Sequence, residues 1–333
     1  MVLWYDLFVR EESKLNDYFY LGSTEVLTTK GFIPIKDLNS STPVIYIDEG
    51  TIYTTKDFNL LKSDEVIRTL SVGGSNVVKG TADLKNKLSL FPKLKLEDRN
   101  SDYVTFLYGD HIYKVLPEVF LTYSFLFLNY FSYNSSDNTF NFRSDDRSKI
   151  VNYTVDSALK ILSTYTNRFC EGCYLPDEFN HIEYFSHCFL ASSFPKDIQG
   201  FIRLLFSYQD RWAEFLGTME RATLIYRLKD NDTGYRYSNV FNKSLTKILL
   251  FILTTCGKNP ISKKKYSQVD SKGYNLIYFK LECDVENTAK IFKSCDFGEV
   301  YNLDLPTNGT LVTSTCYNGF TTITYGPSLD IKS

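Results

Sequence analysis

The sequence predicts an α+β protein, with β-rich segments toward both chain ends and helices in the middle. Residues 22–48 alternate apolar and polar side chains on either side of Lys30-Gly31, which is typical of a β-hairpin. Residues 117–132 pass from Pro-Glu into an almost wholly apolar stretch, which predicts a buried helix. Residues 233–282 favour a strand, a helix and a further strand.

Composition indicates an ordered globular chain. The 333 residues exceed one small core, so they fit two domains or one domain with a large insertion. A hydrophobic fraction of 43%, with 25 Tyr and 26 Phe, can bury a large core. The net charge of −2 gives no general attraction for nucleic acid or an anionic membrane. Partners must then be recognised by local surfaces.

Targeting signals and cysteines indicate a reducing location. The longest apolar stretch, 115–133, is interrupted by polar residues, which favours a buried helix over a membrane span. No basic segment leading to a small-residue cleavage site opens the sequence, so we expect no secretion through a signal peptide. The seven cysteines are then expected to be reduced thiols.

The first hairpin segment resembles the opening block of the Hint fold, which inteins and hedgehog autoprocessing domains share. That block has Gly-x-Thr-x-Val-x-Thr, then Gly, then Ile-x-x-Leu. The matching residues here are Gly22, Thr24, Val26, Thr28, Gly31, Ile35 and Leu38. Residues 77–85 are similar to the intein strand with the Thr-x-x-His signature, and 108–110 to the Gly-Asp turn that follows it. Residues 298–310 are similar to the late Val-Tyr-Asp-Leu-x-Val-Pro strand and turn.

The resemblance implies that splicing has been lost. An intein begins with Cys or Ser, whose side chain attacks the preceding carbonyl, but Phe19 stands at that position. The His of Thr-x-x-His, which polarises the scissile amide, is replaced by Leu84. The best match to the terminal His-Asn is Tyr317-Asn318, followed by Gly319 and not by a nucleophile. Asn318-Gly319 is also a good tight-turn dipeptide, and we favour that interpretation.

The middle of the chain, from about 115 to 285, resembles a LAGLIDADG homing endonuclease domain. Its two motif helices match residues 117–132 and 200–210. Tyr130 and Gln209 then stand at the two metal-binding Asp positions. Phe125 and Leu204 stand where small Gly residues let the helices approach. A neutral Tyr and Gln cannot hold the Mg²⁺ that activates water, so nuclease activity is expected to be lost.

One carboxylate could in principle replace the missing pair. Asp210 follows Gln209 directly, which places it roughly 100° around a helix from the expected position. A residual homing endonuclease would depend on it. His111, beside the Gly109-Asp110 turn, could be a relocated catalytic His, but no nucleophile lies near it in sequence.

Two further groups of residues invite a binding interpretation. Cys170, Cys173, His181, His187 and Cys188 offer soft ligands for Zn²⁺, but their spacing is atypical and the surroundings are apolar, so we expect buried structural residues and no metal. A basic cluster near Tyr266 and Tyr274 could contact a nucleic acid backbone. It consists of Lys258, Lys263, Lys264, Lys265 and Lys272. Basic residues only slightly outnumber acidic ones between 115 and 283, which favours a solvated turn.

The sequence therefore predicts five segments. They are an N-terminal extension (1–18), the first Hint-like half (19–114), the LAGLIDADG-like insertion (115–285), the second Hint-like half (286–318) and a C-terminal extension (319–333). We expect no enzymatic activity and no cofactor.

The expected role is a structural or assembly component of a virus or phage particle, with other protein subunits as partners. Its expected location is the virion or host cytoplasm, without membrane association. The alternatives are a DNA-binding protein that keeps the LAGLIDADG saddle without cleavage, and a residual homing endonuclease.

Overall fold

A computed structural model confirms mixed α+β architecture, with β-sheet built from both chain ends and helices in the middle. It describes residues 18–329 except 74–75, 93, 96–102, 109, 135–138, 143–151, 154–193, 222–224, 228–233, 241, 267–272 and 281–288.

The first part of the chain is almost entirely β-structure. Its strands are β1 (Tyr20–Leu21), β2 (Glu25–Thr28), β3 (Gly31–Pro34), β4 (Val44–Asp48), β5 (Thr51–Thr55), β6 (Asn59–Val72), β7 (Asn76–Gly80), β8 (Val104–Tyr108) and β9 (His111–Val115). Short 3-10 turns cover Ile35–Asp37 and Ala82–Asn86. The predicted hairpin is confirmed, because β2 and β3 pair with Thr28 opposite Gly31.

Helices and strands alternate in the middle of the chain. The helices are α1 (Pro117–Tyr130), α2 (Ile198–Ser207), α3 (Trp212–Arg221) and α4 (Lys243–Thr255). The strands are β10 (Phe131–Asn134), β11 (Thr139–Phe142), β12 (Asn152–Tyr153), β13 (Ile225–Arg227), β14 (Gly234–Val240), β15 (Ile261–Tyr266) and β16 (Gly273–Lys280). The predicted strand, helix and strand correspond to β14, α4 and β16, with β15 in addition.

The chain ends with three long strands, β17 (Ala289–Asp304), β18 (Thr310–Tyr317) and β19 (Phe320–Pro327). Strands β1, β17, β6 and β7 close a small barrel. Strands β6 and β17 pair from Val72 opposite Ala289 to Asn59 opposite Asp304. The barrel therefore joins the two ends of the chain.

A second, larger sheet connects the chain ends to the middle. Its strand order is β13-β14-β16-β15-β19-β18-β2-β4-β5, and β3 pairs with β2. The connection is made where β15 pairs with β19, with Ser262 opposite Thr321 and Lys263 opposite Phe320. Within the segment that we expected to be a C-terminal extension (319–333), residues 320–327 form β19, which pairs with β18 along its whole length.

Helix α1 is the most buried helix, as its apolar sequence predicts. It begins at Pro117, whose fixed φ suits the first helical turn. Every residue from 119 to 129 is buried. The hydroxyls of Thr122 and Ser124 donate to the carbonyls of Glu118 (2.7 Å) and Phe120 (2.8 Å), so these polar side chains are satisfied within the helix.

Helices α2 and α4 have side-chain caps at their N-termini. Asp197 accepts from the Gly200 N–H at 2.6 Å, and Asn242 accepts from Ser244 (2.9 Å) and Leu245. The largest core cluster combines residues of these helices with end-strand residues such as Leu27 and Val312. Among the described residues, no helix has both the length and the apolar character needed to cross a bilayer.

Candidate functional site

The peptide bond between Tyr18 and Phe19 is held by side chains on both sides. The Phe19 N–H donates to Thr81 Oγ1 at 3.1 Å. The Tyr18 carbonyl accepts from Nδ2 of Asn302 on β17. Both polar atoms of this peptide are therefore fixed by buried partners from different ends of the chain.

The surroundings of this peptide are tightly packed. The Thr81 N–H donates to the Phe19 carbonyl at 2.9 Å, which continues the pairing of Tyr20 with Gly80. A Cβ on Gly80 would lie 2.2 Å from the Phe19 oxygen and 2.9 Å from Leu84 Cδ2. Only glycine leaves room for β1 to approach β7 this closely. We refer to Tyr18, Phe19, Gly80, Thr81 and Asn302 as the peptide clamp.

Of the two expected splicing positions, Phe19 belongs to the clamp and Leu84 lies next to it, and both carry hydrocarbon side chains. Phe19 is buried and packs with Ile67, Val300 and Leu329. Leu84 lies in the 3-10 turn after β7, is fully buried, and belongs to the barrel core. The structure thus brings Phe19 and Leu84 close to Gly80, and neither side chain can attack a carbonyl or transfer a proton.

Asn302 was not identified as a site residue from the sequence. It lies on β17 with no exposed surface, and its Oδ1 accepts from the Leu303 N–H at 2.7 Å. The sequence signal was its place in the Val-Tyr-Asn-Leu string, where the resembling pattern has Asp. The hydrogen bond from Asn302 to the Tyr18 carbonyl joins residues 284 positions apart in the sequence. The Val-Tyr-Asn-Leu sequence alone therefore does not reveal it.

Asn318 occupies a hairpin turn. Strands β18 and β19 pair up to Tyr317 opposite Phe320, and Asn318 and Gly319 have φ angles of 50° and 78°. Left-handed backbone at both central residues is what a two-residue hairpin turn needs, so the turn interpretation is confirmed.

The two positions matched to endonuclease carboxylates lie at helix ends. Tyr130 is the last residue of α1, and Gln209 lies in a 3-10 turn after α2, where its Nε2 donates to the Phe206 carbonyl at 3.2 Å. Phe125 fills the space at the helix contact, with its ring centroid 6.2 Å from that of Phe201 and 6.3 Å from that of Phe215. Leu204 is partly buried beside the same cluster.

Asp210 has an incomplete set of partners. Its Oδ2 lies 3.5 Å from Nε of Arg211, and its Oδ1 is buried without a hydrogen-bond partner in the described part of the chain. Burial, followed by the charge of Asp210, raises the pKa of Tyr208. No group of three or more potential metal ligands occurs among the described residues. Cys170, Cys173, His181, His187 and Cys188 lie outside them.

The basic cluster differs from our expectation of a turn. Lys263, Lys264 and Lys265 lie on strand β15. Lys263 is exposed, with its Nζ 5.2 Å from the centre of the Phe320 ring. Lys258 follows α4, and its N–H donates to the Leu253 carbonyl at 2.9 Å. Lys272 lies outside the described residues, and His111 begins β9 opposite Tyr108.

A buried ion pair joins the middle of the chain to the first hairpin. Lys247 of α4 is 3% exposed and its Nζ contacts Oε2 of Glu25 on β2. Lys243 lies 3.9 Å from the other carboxylate oxygen. Burial lowers the pKa of Lys247, and the Glu25 charge partly opposes this shift. A single Lys inside the apolar run of α4 was the sequence signal for this pair, and we missed it.

Comparison with known proteins adds no relative. No protein-family model matches the sequence, and a search of curated proteins finds no match. The functional interpretation therefore depends on the geometry of the clamp and its surroundings.

Proposed function

We propose that this chain is a non-catalytic protein on an intein-like scaffold, in which a Hint-like domain from both chain ends carries a LAGLIDADG-like insertion. We further propose that it serves as a structural or assembly component of a virus or phage particle. The peptide clamp is the observation that supports this proposal. The peptide that an intein would cleave is bound at both polar atoms, yet no nucleophile follows it.

The clamp supports a lost activity because it holds the peptide at which the resemblance would place cleavage, while the neighbouring side chains lack the chemistry for it. Thr81, which stands at the Thr of the Thr-x-x-His match, accepts a hydrogen bond from the Phe19 N–H of the Tyr18–Phe19 peptide. Ester formation needs a thiol or hydroxyl at residue 19, and proton transfer to the leaving amide needs a group such as His at residue 84. Phe19 and Leu84 provide neither and contribute to the core instead.

The retained packing of the barrel supports a structural role. A chain that retains a closely packed barrel while its reactive positions carry hydrocarbon is best explained if its shape is used. The abundance of Asn, Lys, Tyr and Phe suits an AT-rich viral genome, and mobile inteins are common in viruses. Other subunits of the same assembly are then the partners, in the virion or the host cytoplasm.

Self-processing is the direct test. The chain would be expressed with short tags before residue 1 and after residue 333, and its intact mass would be measured with and without a thiol reductant. We expect one uncut polypeptide. Cleavage at Tyr18–Phe19 would contradict the proposal. The Phe19→Cys/Leu84→His variant is the informative comparison, because cleavage there alone would indicate that the scaffold is intein-like and only the chemistry is missing.

The assembly role needs a separate measurement. Quantitative mass spectrometry of purified particles from a host expressing this gene should find the chain at a fixed ratio to other particle proteins. A chain that remains in the soluble lysate, with no enrichment in particles, would contradict the assembly role and leave the scaffold proposal unaffected.

The second candidate function is DNA binding without cleavage, and the strand position of Lys263–Lys265 favours it. Binding to random duplex DNA at low and moderate salt, with Mg²⁺ present, distinguishes the two candidates. Salt-sensitive binding that is lost in a Lys263→Gln variant would support DNA binding. Cut DNA would support a residual homing endonuclease, in which case Asp210→Asn should abolish cutting.

A further inference from the structure

A cavity of about 630 Å³ lies against the larger sheet. Ile47 of β4 and Thr310 of β18 are opposite each other in the sheet, and both line the cavity. Cross-strand partners have their side chains on the same face, so these two residues form one wall. Small-molecule sites typically have volumes of about 300–1,000 Å³, so the cavity is large enough for a whole ligand.

The segment 89–95 forms another wall and is hydrogen-bonded to the sheet at both of its ends. Ser89 and Tyr325 exchange backbone hydrogen bonds of 2.8 and 2.9 Å, and the Lys95 N–H donates to the Gly50 carbonyl at 2.7 Å. These bonds hold the wall in place, so the cavity exists before a ligand binds. The apolar residues between the two attachments that line the cavity are Phe91, Pro92 and Leu94.

The apolar lining belongs to two different cores. Leu94 packs against the largest core cluster, which contains Ile47 and Tyr325. Phe91 packs instead against the core of the small barrel. Ligand sites occur preferentially where two packed units meet. The apolar body of a ligand in this cavity would contact both cores at once.

The exposed lining residues are all polar, and their charges sum to a positive value. They are Glu49, Lys87, Lys95 and Asn308. Lys87 has its Nζ 5.8 Å from the centre of the Tyr18 ring. Neither the Glu49 carboxylate nor the Lys95 ammonium forms an ion pair or a hydrogen bond with another described residue. Two lysines against one glutamate favour a ligand with a single negative charge.

We propose that this cavity binds a small amphipathic carboxylate, of which a medium-chain fatty acid is an example. The apolar body of the ligand lies against Ile47, Phe91 and Leu94, and its burial is the main source of affinity. The carboxylate lies at the solvent side, near Lys87 and Lys95. This binding site depends neither on the intein-like scaffold nor on the assembly role.

Binding of decanoate tests the proposal, and decyltrimethylammonium is the cationic ligand of equal chain length. Each would be titrated into the full chain below its micelle-forming concentration. The methyl NMR signals of Ile47 and Leu94 would report both the affinity and the place of binding. We expect both signals to shift with decanoate, which should bind about fivefold more tightly than the cation.

Matched lysine variants test the charge preference. Lys87→Gln/Lys95→Gln should remove the preference for decanoate. Lys56→Gln/Lys290→Gln makes the same change in charge at exposed positions that do not line the cavity, and it should keep the preference. Circular dichroism would establish that each variant is folded.

A filled cavity tests the apolar contact. Thr310→Trp introduces a large ring into the wall of the cavity, so both ligands should bind much more weakly. Thr54→Trp is the matched control, because Thr54 is exposed on β5 and does not line the cavity. It should bind both ligands as the unaltered chain does.

Three outcomes would overturn the proposal. The first is that decanoate leaves the signals of Ile47 and Leu94 unchanged. The second is an affinity for decanoate that Thr310→Trp does not reduce, since the ligand would then bind elsewhere. The third is a charge preference that is as large in Lys87→Gln/Lys95→Gln as in the unaltered chain.

Discussion

At the scale of single residues, the clamp shows how close approach and buried hydrogen bonds define a site without reactive groups. Gly80 allows β1 and β7 to meet, Thr81 and Asn302 bind the peptide before Phe19, and Leu84 closes the barrel core. Each of these residues is constrained by a contact made far along the chain. Their replacement should therefore affect stability before it affects any interaction with a partner.

Gly80→Ala tests the close approach. Its new Cβ would lie 2.2 Å from the Phe19 carbonyl oxygen, so either the strands must separate or the clamp must break. We expect a loss of about 3 kcal/mol in the free energy of unfolding, measured by urea denaturation. Gly217→Ala in α3 is the matched control, since no atom of the described residues outside its own stretch of helix lies within 4 Å of the new Cβ and Ala favours helix. Equal effects at both positions would contradict the steric explanation.

Glu25→Gln tests the buried ion pair. It leaves the Lys247 ammonium buried without its counter-charge, so we expect a loss of about 3 kcal/mol in the free energy of unfolding at pH 7. The Glu25→Leu/Lys247→Met variant, which removes both charges, should lose less.

The pH dependence of this variant has a definite sign. The pKa of Lys247 in the folded chain lies below its ordinary value of 10.5, and it should fall further without Glu25. Between the lowered folded pKa and 10.5, the unfolded chain binds more protons than the folded chain, so stability should rise with pH. Urea denaturation of Glu25→Gln at about pH 7 and about pH 9.5 would test this, and a lower stability at the higher pH would argue against a buried, destabilised ammonium.

At the scale of elements, local sequence determined several turns and helix ends. Asn318-Gly319 forms the turn between β18 and β19, and Pro117 begins α1, both as their residue types indicate. For Lys263–Lys265 the local sequence favoured a turn, but these residues lie in strand β15. Their neighbours β16 and β19 supply the pairing that outweighs a polar local sequence.

Gly319→Ala isolates the backbone requirement of that turn. Gly319 has a φ of 78°, and apart from its chain neighbours no atom of the described residues lies within 4 Å of the place that a Cβ would take, so we attribute the cost to backbone conformation. We expect a loss of about 1 kcal/mol, read from the midpoint of urea unfolding. Asn318→Gly should be close to neutral, since Gly also adopts the left-handed conformation. A neutral Gly319→Ala would indicate that the turn relaxes without cost.

At the scale of the whole molecule, the middle of the chain is not separate from its ends. Strand β15 pairs with β19, and the largest core cluster contains side chains from the helices together with Ile45, Ile323 and Tyr325 from the end strands. Trp212 of α3 lies in this cluster and packs against Phe251 of α4, with ring centroids 5.4 Å apart. A shared sheet and a shared core couple the two parts in unfolding.

Unfolding should therefore occur in one transition. In a Trp4→Phe variant, the only remaining Trp is Trp212, whose fluorescence reports on the packing around the helices, while far-ultraviolet circular dichroism reports on the helices and sheets together. We expect the two urea curves to coincide. Separate midpoints would indicate that the middle of the chain folds as an independent unit.

The sequence by itself determined the α+β class, the first hairpin, the buried helix α1 and the turn at Asn318-Gly319, because periodicity, Pro and Gly act within a few residues. It also indicated Phe19 and Leu84 as hydrocarbon positions. Only the tertiary structure decided that Asn302 binds the Tyr18 carbonyl, that Lys247 pairs with Glu25, and that β19 connects two groups of strands. The first two contacts join residues 284 and 222 positions apart. Such partners are selected by packing of the complete chain, which no local pattern encodes.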